Sequence, residues 1–144
     1  MITWIHQIYK THASNVYIYT NPQKTTTIKH FIRMQNDTRR ETLILNGQFK
    51  IITELEEFRM SLWVTGFGLQ DARTGEVIIP VVHIFNLDRY VADDSTLHVV
   101  FQIYPHGAKT YEVAIDPFRK TFAYEDKTYS TKDFFKTFTG NDFN

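Results

Sequence analysis

The clearest structural signal in the chain is Leu43-Ile44-Leu45-Asn46-Gly47-Gln48-Phe49-Lys50-Ile51, in which an Asn-Gly pair separates two apolar stretches. Asparagine and glycine tolerate the positive φ angles of a type I′ turn, whose twist matches that of the flanking strands. The segment therefore predicts a β-hairpin with a two-residue turn. Its register would place Ile44 opposite Phe49 and Thr42 opposite Ile51.

Segments on both sides of this hairpin also show the alternation or the apolar character of strands. They are Asn15–Thr20, Thr25–Met34, Phe58–Gln70, Val77–Phe85, Leu97–Tyr104, Tyr111–Asp116 and Thr121–Tyr124. Asp71–Gly75 predicts a second hairpin turn, whereas the polar segment Asn86–Ser95 predicts a loop. Pro80 lacks an amide donor and predicts a sheet edge or a bulge. Gly66 and Gly68 predict a bulge or a close packing contact.

Short helices are expected at the two ends of the chain. Near the C-terminus, Ser130 is a suitable N-cap and Asp133 lies at the capping-box position. The buried stripe of this helix would comprise Phe134, Phe135 and Phe138. At the N-terminus, one helical stripe would comprise Ile2, Ile5, Ile8 and Tyr9. The same N-terminal segment also fits a strand.

The order of these elements predicts the fold class. Consecutive strands joined by tight turns favour antiparallel pairing. The sequence thus predicts a β-rich α+β fold, a mainly antiparallel sheet of about seven or eight strands with short N- and C-terminal helices. The alternative is an all-β sandwich or barrel. A length of 144 residues without a linker-like segment predicts one globular domain over residues 1–144.

Sixteen basic and sixteen acidic side chains give a formal net charge of zero. That balance excludes a strongly basic nucleic-acid coat protein and an acidic DNA mimic. Residues 1–40 nevertheless carry six basic and one acidic side chain, residues 41–100 four and nine, and residues 101–144 six of each. Either the basic and acidic segments neutralise each other, or the basic segment faces an anionic partner. The acidic run Glu54–Glu57 is interpreted as a solvated sheet edge.

The chain has no cysteine, which excludes disulfides, thiolate metal sites and a cysteine nucleophile. It shows neither a secretory signal nor a transmembrane segment, so we expect a cytoplasmic protein without a membrane partner. Nucleotide-binding, phosphate-loop and zinc-hydrolase motifs are absent, and we expect neither a cofactor nor a metal site.

Histidine titrates near neutral pH, so the histidines are the best candidates for chemistry. His83 and His98 flank the predicted 86–95 loop, and one antiparallel register would place their imidazoles side by side. A carboxylate from Asp88, Asp93 or Asp94 would then complete a metal or acid–base site. The candidate catalytic residues are therefore His83, His98 and Asp88. The alternative is that these histidines are separate structural residues.

A candidate partner-binding surface lies in the basic segment. Alternation along the predicted strand at 25–34 places Lys29, Phe31 and Arg33 on one face, and Arg39 and Arg40 follow. A ring flanked by cations can stack a base and hold phosphates. The alternative is that Phe31 packs in the core while the cations are solvated.

The sequence favours a small non-enzymatic protein-interaction domain, bacterial or phage-encoded, that acts as an inhibitor, an immunity-type partner or a structural subunit. Its partner would be another protein or a second copy of itself. One alternative is a small enzyme with a histidine–carboxylate site. Another is a protein that binds single-stranded nucleic acid through the basic N-terminal strands.

Overall fold

The computed structural model of the chain describes residues 7–11, 14–20, 38–58, 62–105, 107 and 109–143. Eleven strands of this part of the chain form two sheets, and every pairing is antiparallel. The predicted strand at 25–34, with Lys29, Phe31 and Arg33, lies outside the described residues. Residues 1–6 of the expected N-terminal helix lie outside them too.

The larger sheet comprises β1 (Gln7–Thr11), β2 (Ser14–Thr20), β7 (Phe85–Ala92), β8 (Leu97–Ile103), β9 (Thr110–Asp116), β10 (Thr121–Tyr124) and β11 (Lys127–Ser130), which neighbour one another in that order. The smaller sheet comprises β3 (Arg39–Ile44), β4 (Phe49–Phe58), β5 (Leu62–Asp71) and β6 (Val77–Val82), also in order. A 3₁₀ turn at Thr131–Asp133 leads into the helix α1, Phe134–Thr139. The predicted fold class, mainly antiparallel β with a short C-terminal helix, is confirmed, although the described residues alone form eleven strands rather than seven or eight.

The Asn-Gly hairpin joins β3 to β4 in the predicted register, with Ile44 opposite Phe49 and Thr42 opposite Ile51. Ile44, Phe49 and Ile51 are all buried. A slip of one residue would move these side chains to the other face of the sheet, so burial and turn chemistry select the same register.

The turn itself is longer than predicted. Asn46 and Gly47 have φ angles of 58° and 78°, and the amide of Gln48 donates to the carbonyl oxygen of Leu45 over 3.2 Å, as in a type I′ turn. Leu45 also has a positive φ, 54°, yet its side chain is buried. Burial of an apolar side chain thus offsets a backbone conformation that leucine disfavours.

The alternation between Phe58 and Gln70 predicts one strand, and this prediction is wrong. Phe58 of β4 pairs with Leu62 of β5, so the chain reverses between them. An alternating pattern continues across such a short reversal without interruption when neither glycine nor proline marks the turn.

Two further boundaries differ from the prediction between residues 77 and 95. The predicted strand Val77–Phe85 divides at His83-Ile84, where the chain passes from the smaller sheet to the larger one. The predicted loop Asn86–Ser95 is mostly strand β7. A register shift near Asp88 interrupts the period of two in β7, so its buried residues do not alternate regularly in the sequence.

Residues 7–11 form the strand β1, so a helix over Ile8 and Tyr9 is wrong and the alternative interpretation, a strand, applies to them. The spacing of apolar residues in this short segment fits the period of a helix and also that of a strand. Antiparallel pairing with β2 makes it a strand.

Gly68 and Pro80 meet at a bulge between β5 and β6, as predicted. A register shift leaves Pro80 and Val81 facing Gly68 alone, on a strand at the edge of the smaller sheet. A Cβ atom on Gly68 would lie 2.8 Å from the carbonyl oxygen of Ile79. Proline is tolerated here because an edge or bulged residue need not donate to the ladder.

Both sheets and α1 contribute to one hydrophobic core. Phe134 of α1 lies with its ring centroid 6.1 Å from that of Phe67 in the smaller sheet and 5.8 Å from that of Phe101 in the larger one. Ser130 caps the 3₁₀ turn that leads into α1 by accepting a hydrogen bond from the Lys132 amide, as predicted. Within the described residues, no helix has the length and apolar character needed to span a membrane.

Candidate functional site

His83 occupies the short link between β6 and β7, and its side chain is partly exposed. The ring passes over Gly66 of β5, where an added Cβ atom would lie 3.0 Å from the His83 Cδ2 atom. The missing side chain of Gly66 therefore makes the space that lets the imidazole reach across β5 towards β4.

Two carboxylates of β4 meet this imidazole. Glu54 and Glu56 are two residues apart, so they project from the same face of the strand. Glu54 Oε2 lies 3.0 Å from His83 Nε2, and Glu56 Oε2 lies 3.1 Å from His83 Nδ1. A neutral imidazole donates from only one ring nitrogen, whereas the imidazolium donates from both, so protonated His83 satisfies both carboxylates.

Glu54 also contacts Arg39, which lies directly opposite it on β3. The Arg39 guanidinium contacts Glu41 at 3.2 Å, and Glu41 contacts Lys50 Nζ at 2.9 Å. Hydrogen bonding to Glu54 raises the pKa of Arg39, and hydrogen bonding to Lys50 and then Arg39 lowers the pKa of Glu41. Arg39 and Glu41 therefore each stabilise the charged form of the other.

These side chains form what we call the ion-pair chain, in which basic and acidic groups alternate: Lys50, Glu41, Arg39, Glu54, His83 and Glu56. Two permanent cations, Lys50 and Arg39, lie among its three carboxylates. Arg39 belongs to the basic segment and Glu54 to the acidic one, so the two segments neutralise each other at this point.

The three candidate catalytic residues lie in separate pairs. His98 Nε2 is 4.0 Å from Asp93, Asp88 is 3.0 Å from Arg89, and His83 faces β4. His98 pairs with Val91, six residues beyond the start of β7, which corresponds to about 20 Å along a strand from the His83 end. The register expected to place the two imidazoles side by side is therefore wrong, and a catalytic role for His83, His98 and Asp88 stays a prediction.

The predicted partner-binding arginines point in opposite directions. Arg39 lies on the exposed face of β3 within the ion-pair chain, and Arg40 is half-buried on the opposite face. Arg40 lies near the buried Tyr90, where burial raises the pKa of the tyrosine to about 12 against the opposing effects of a hydrogen bond with Thr42 and the Arg40 charge. The two arginines therefore do not share one surface.

Sequence reasoning missed Glu54, Glu56 and Gly66 as members of a site. The acidic run was expected at a sheet edge, but β4 lies between β3 and β5. The predicted hairpin register already implies that Arg39 faces Glu54, because each step outward from the Ile44–Phe49 pair adds one residue on each strand. No local sequence pattern predicts that His83 contacts Glu54 and Glu56 of β4.

A second surface lies where three hairpin turns converge: residues 45–48, 72–76 and 117–120. We call it the hairpin end. The Ala72 amide donates to the Gln48 carbonyl oxygen over 2.9 Å, and Lys120 Nζ contacts both carboxylate oxygens of Glu76 at 2.8 and 2.9 Å. These contacts join two hairpins of the smaller sheet to one of the larger sheet.

Three large apolar side chains are exposed at or beside the hairpin end: Leu43 (56%), Val77 (57%) and Phe118 (47%). Register places Leu43 and Val77 at the two ends of one cross-strand row, with Lys50 and Gln70 between them. Three strand spacings separate the outer two backbones by about 14 Å. Phe118 packs edge-on against Phe49 with ring centroids 4.9 Å apart.

In the described part of the chain, no group of three or more histidine or acidic side chains is arranged to hold a metal ion. No family model matches the sequence, and neither a curated protein nor a solved structure matches it.

Proposed function

We propose that the chain is a small protein-interaction domain that binds another protein, or a second copy of itself, through the hairpin end. The observation that supports this most is the exposure of Leu43, Val77 and Phe118 at one end of the molecule. Large apolar side chains that stay exposed near charged ones are typical of protein interfaces.

The charges around these side chains suit such a role. Lys50 lies between Leu43 and Val77 in the cross-strand row, and Glu76 and Lys120 form an ion pair beside them, so apolar side chains alternate with charges of both signs. A partner would bury the apolar side chains and meet these charges with complementary ones.

Pairing of Arg39 with Glu54 and Glu41 favours this proposal over nucleic-acid binding. A cation that is already paired within the fold contributes less to the counterion release that drives phosphate binding. The proposal includes the roles expected from the sequence, an inhibitor, an immunity-type partner or a structural subunit of bacterial or phage origin, acting in the cytoplasm.

The test compares three single variants: Phe118→Ser and Val77→Ser at the hairpin end, and Phe143→Ser as a control that removes an exposed phenylalanine elsewhere. Self-association is measured by light scattering across a concentration series, and partner binding by titration with the protein retained from the source cells. We expect the hairpin-end variants to weaken the interaction about tenfold or more, as loss of an interface anchor does.

Thermal unfolding of each variant separates loss of binding from loss of fold. The proposal is contradicted if Phe143→Ser weakens binding as much as the hairpin-end variants. It is equally contradicted if the folded wild-type protein neither self-associates nor retains a partner.

A further inference from the structure

Tyr111 and Tyr124 form a two-ring surface at the end of the larger sheet that lies opposite the hairpin end. The register of β9 and β10 makes them diagonal neighbours, and their ring centroids are 5.9 Å apart. Phe138 of α1 packs against both rings, at 5.2 Å from Tyr111 and 5.0 Å from Tyr124. Phe101 stacks on Tyr111 at 5.4 Å. Contacts with the core therefore hold the two rings in position.

An ammonium group already lies on this surface. Lys109 Nζ is 4.8 Å from the centroid of Tyr111 and 5.9 Å from that of Tyr124, which is within the range of cation–π attraction. A hydrogen bond with the Tyr124 side chain is the largest cause that raises the pKa of Lys109, and charge interactions with Tyr124 and Tyr111 add to it. Both ring faces and the Tyr124 hydroxyl group thus act on the same cation.

The support for the rings does not depend on Lys109. This lysine is exposed and precedes β9, whereas Tyr111 and Tyr124 are held by Phe101 and Phe138. Withdrawal of the lysine side chain would leave the two rings in place. A preorganised surface of this kind can accept an equivalent group from another molecule without reorganisation.

We propose that Tyr111 and Tyr124 form a lysine-binding site, which Lys109 fills within the chain and which a lysine side chain of a partner protein takes over. The inference rests on the proposed function in that the partner is a protein. The hydrogen bond to Tyr124 needs an N–H donor, so it favours a primary ammonium group over a quaternary one.

The experiment uses Lys109→Met, which removes the charge and keeps an unbranched side chain. Nα-acetyl-lysine amide is titrated against the tyrosine ring resonances, with Nα-acetyl-norleucine amide as a neutral probe of similar shape and choline as a quaternary one. We expect Lys109→Met to bind the lysine probe about two- to fivefold more tightly than the norleucine probe, a ratio typical of an exposed cation–π contact. The wild-type protein, whose site is filled, should need a higher probe concentration.

Two controls make the result specific. Lys132→Met removes an exposed lysine elsewhere and should leave probe binding as in the wild type. Tyr124→Phe in the Lys109→Met background keeps the ring but removes the hydroxyl group, and should abolish the preference for lysine over choline.

The inference is overturned if Lys109→Met binds the lysine and norleucine probes equally, or if Lys132→Met produces the same gain. Tighter binding of choline than of the lysine probe would overturn the assignment to lysine. Failure here is distinguishable from failure of the proposed function, because none of the hairpin-end variants alters this site and no partner protein is needed.

Discussion

At the scale of the residue, the position of His83 depends on the absence of a side chain at Gly66. The imidazole crosses β5 at Gly66, where a side chain is missing, and it then reaches Glu54 and Glu56 on the next strand. A single glycine therefore connects the packing of the smaller sheet to the assembly of the ion-pair chain.

Gly66→Ala should lower the free energy of unfolding by about 1–3 kcal/mol, the usual cost of overpacking. The new Cβ atom would meet His83 Cδ2 at 3.0 Å and the Val82 carbonyl oxygen at 3.2 Å, so the imidazole must shift away from Glu54. Chemical denaturation measures the loss, and the NMR shifts of the His83 ring report its displacement.

Gly68→Ala is the matched control, since its Cβ atom would meet the backbone of Ile79 and Val81 at 2.8 Å rather than His83. It should destabilise the protein while leaving the His83 resonances close to their wild-type positions. Equal ring displacement in both variants would contradict this account of Gly66.

Asn86 provides a second residue-scale test, because its side-chain oxygen accepts a hydrogen bond of 3.0 Å from the buried Thr65 amide. This bond links the start of β7 in one sheet to β5 in the other. Asn86→Ala removes the acceptor and should cost about 1–3 kcal/mol, measured by thermal unfolding. Asn86→Asp keeps an acceptor and should cost less, and the reverse order would show that the hydrogen bond does not stabilise the fold.

At the scale of the element, the β3–β4 hairpin combines turn chemistry with burial. Its turn carries three successive positive φ angles, at Leu45, Asn46 and Gly47. Asparagine and glycine suit that geometry locally, whereas leucine is retained because its side chain is buried in the core. The hairpin thus depends both on the backbone preferences of its turn residues and on tertiary packing of a side chain in the core.

Gly47→Ala should destabilise the hairpin by about 1–2 kcal/mol, which is the cost of a Cβ atom in the left-handed region. The φ of Gly47 is 78° and nothing lies within 4 Å of the added Cβ atom, so backbone strain is the whole effect. Denaturant unfolding of Gly47→Ala and Gly47→Asn tests this. Asparagine tolerates the conformation, so an equal loss in both variants would show that strain is not the cause.

At the scale of the whole molecule, aspartates in the hairpin turns connect stability to pH. Backbone hydrogen bonds from Thr74 and Arg73 lower the pKa of Asp71. For Asp93, burial acts to raise the pKa, but hydrogen bonds from the Ser95 and Thr96 amides outweigh it and the pKa is lowered. Ionised carboxylates therefore stabilise both turns.

The sign of the effect follows from these lowered pKa values. Their stabilising contribution is complete above the pKa of aspartate in the unfolded chain, about 4, and is lost as the pH falls through the lower folded-state values. We expect the melting temperature to fall on acidification below about pH 4. Asp71→Asn should weaken this dependence, and an unchanged pH profile in that variant would contradict a role for Asp71.

Prediction from sequence succeeded where the signal was local. The Asn46-Gly47 turn predicted the register of β3 on β4, and Ser130 predicted the cap before α1. It failed where a bulge broke the alternation of β7, and where β4 and β5 pair directly at Phe58 and Leu62 although the sequence between them has neither glycine nor proline. The alternation of apolar and polar residues identifies a strand only where the strand is regular.

The sequence alone determined the antiparallel β-rich fold class and the register of the β3–β4 hairpin. For the candidate site, that register already implies that Arg39 lies opposite Glu54. Only the tertiary structure decided that β6 and β7 belong to different sheets, that the link between them carries His83 over Gly66, and that His98 lies far along β7. The physical reason is the distance along the chain over which each interaction acts. Turn and cap preferences act over a few residues, whereas the contact of His83 with β4 joins residues 29 positions apart and arises only when both strands pack around a common core.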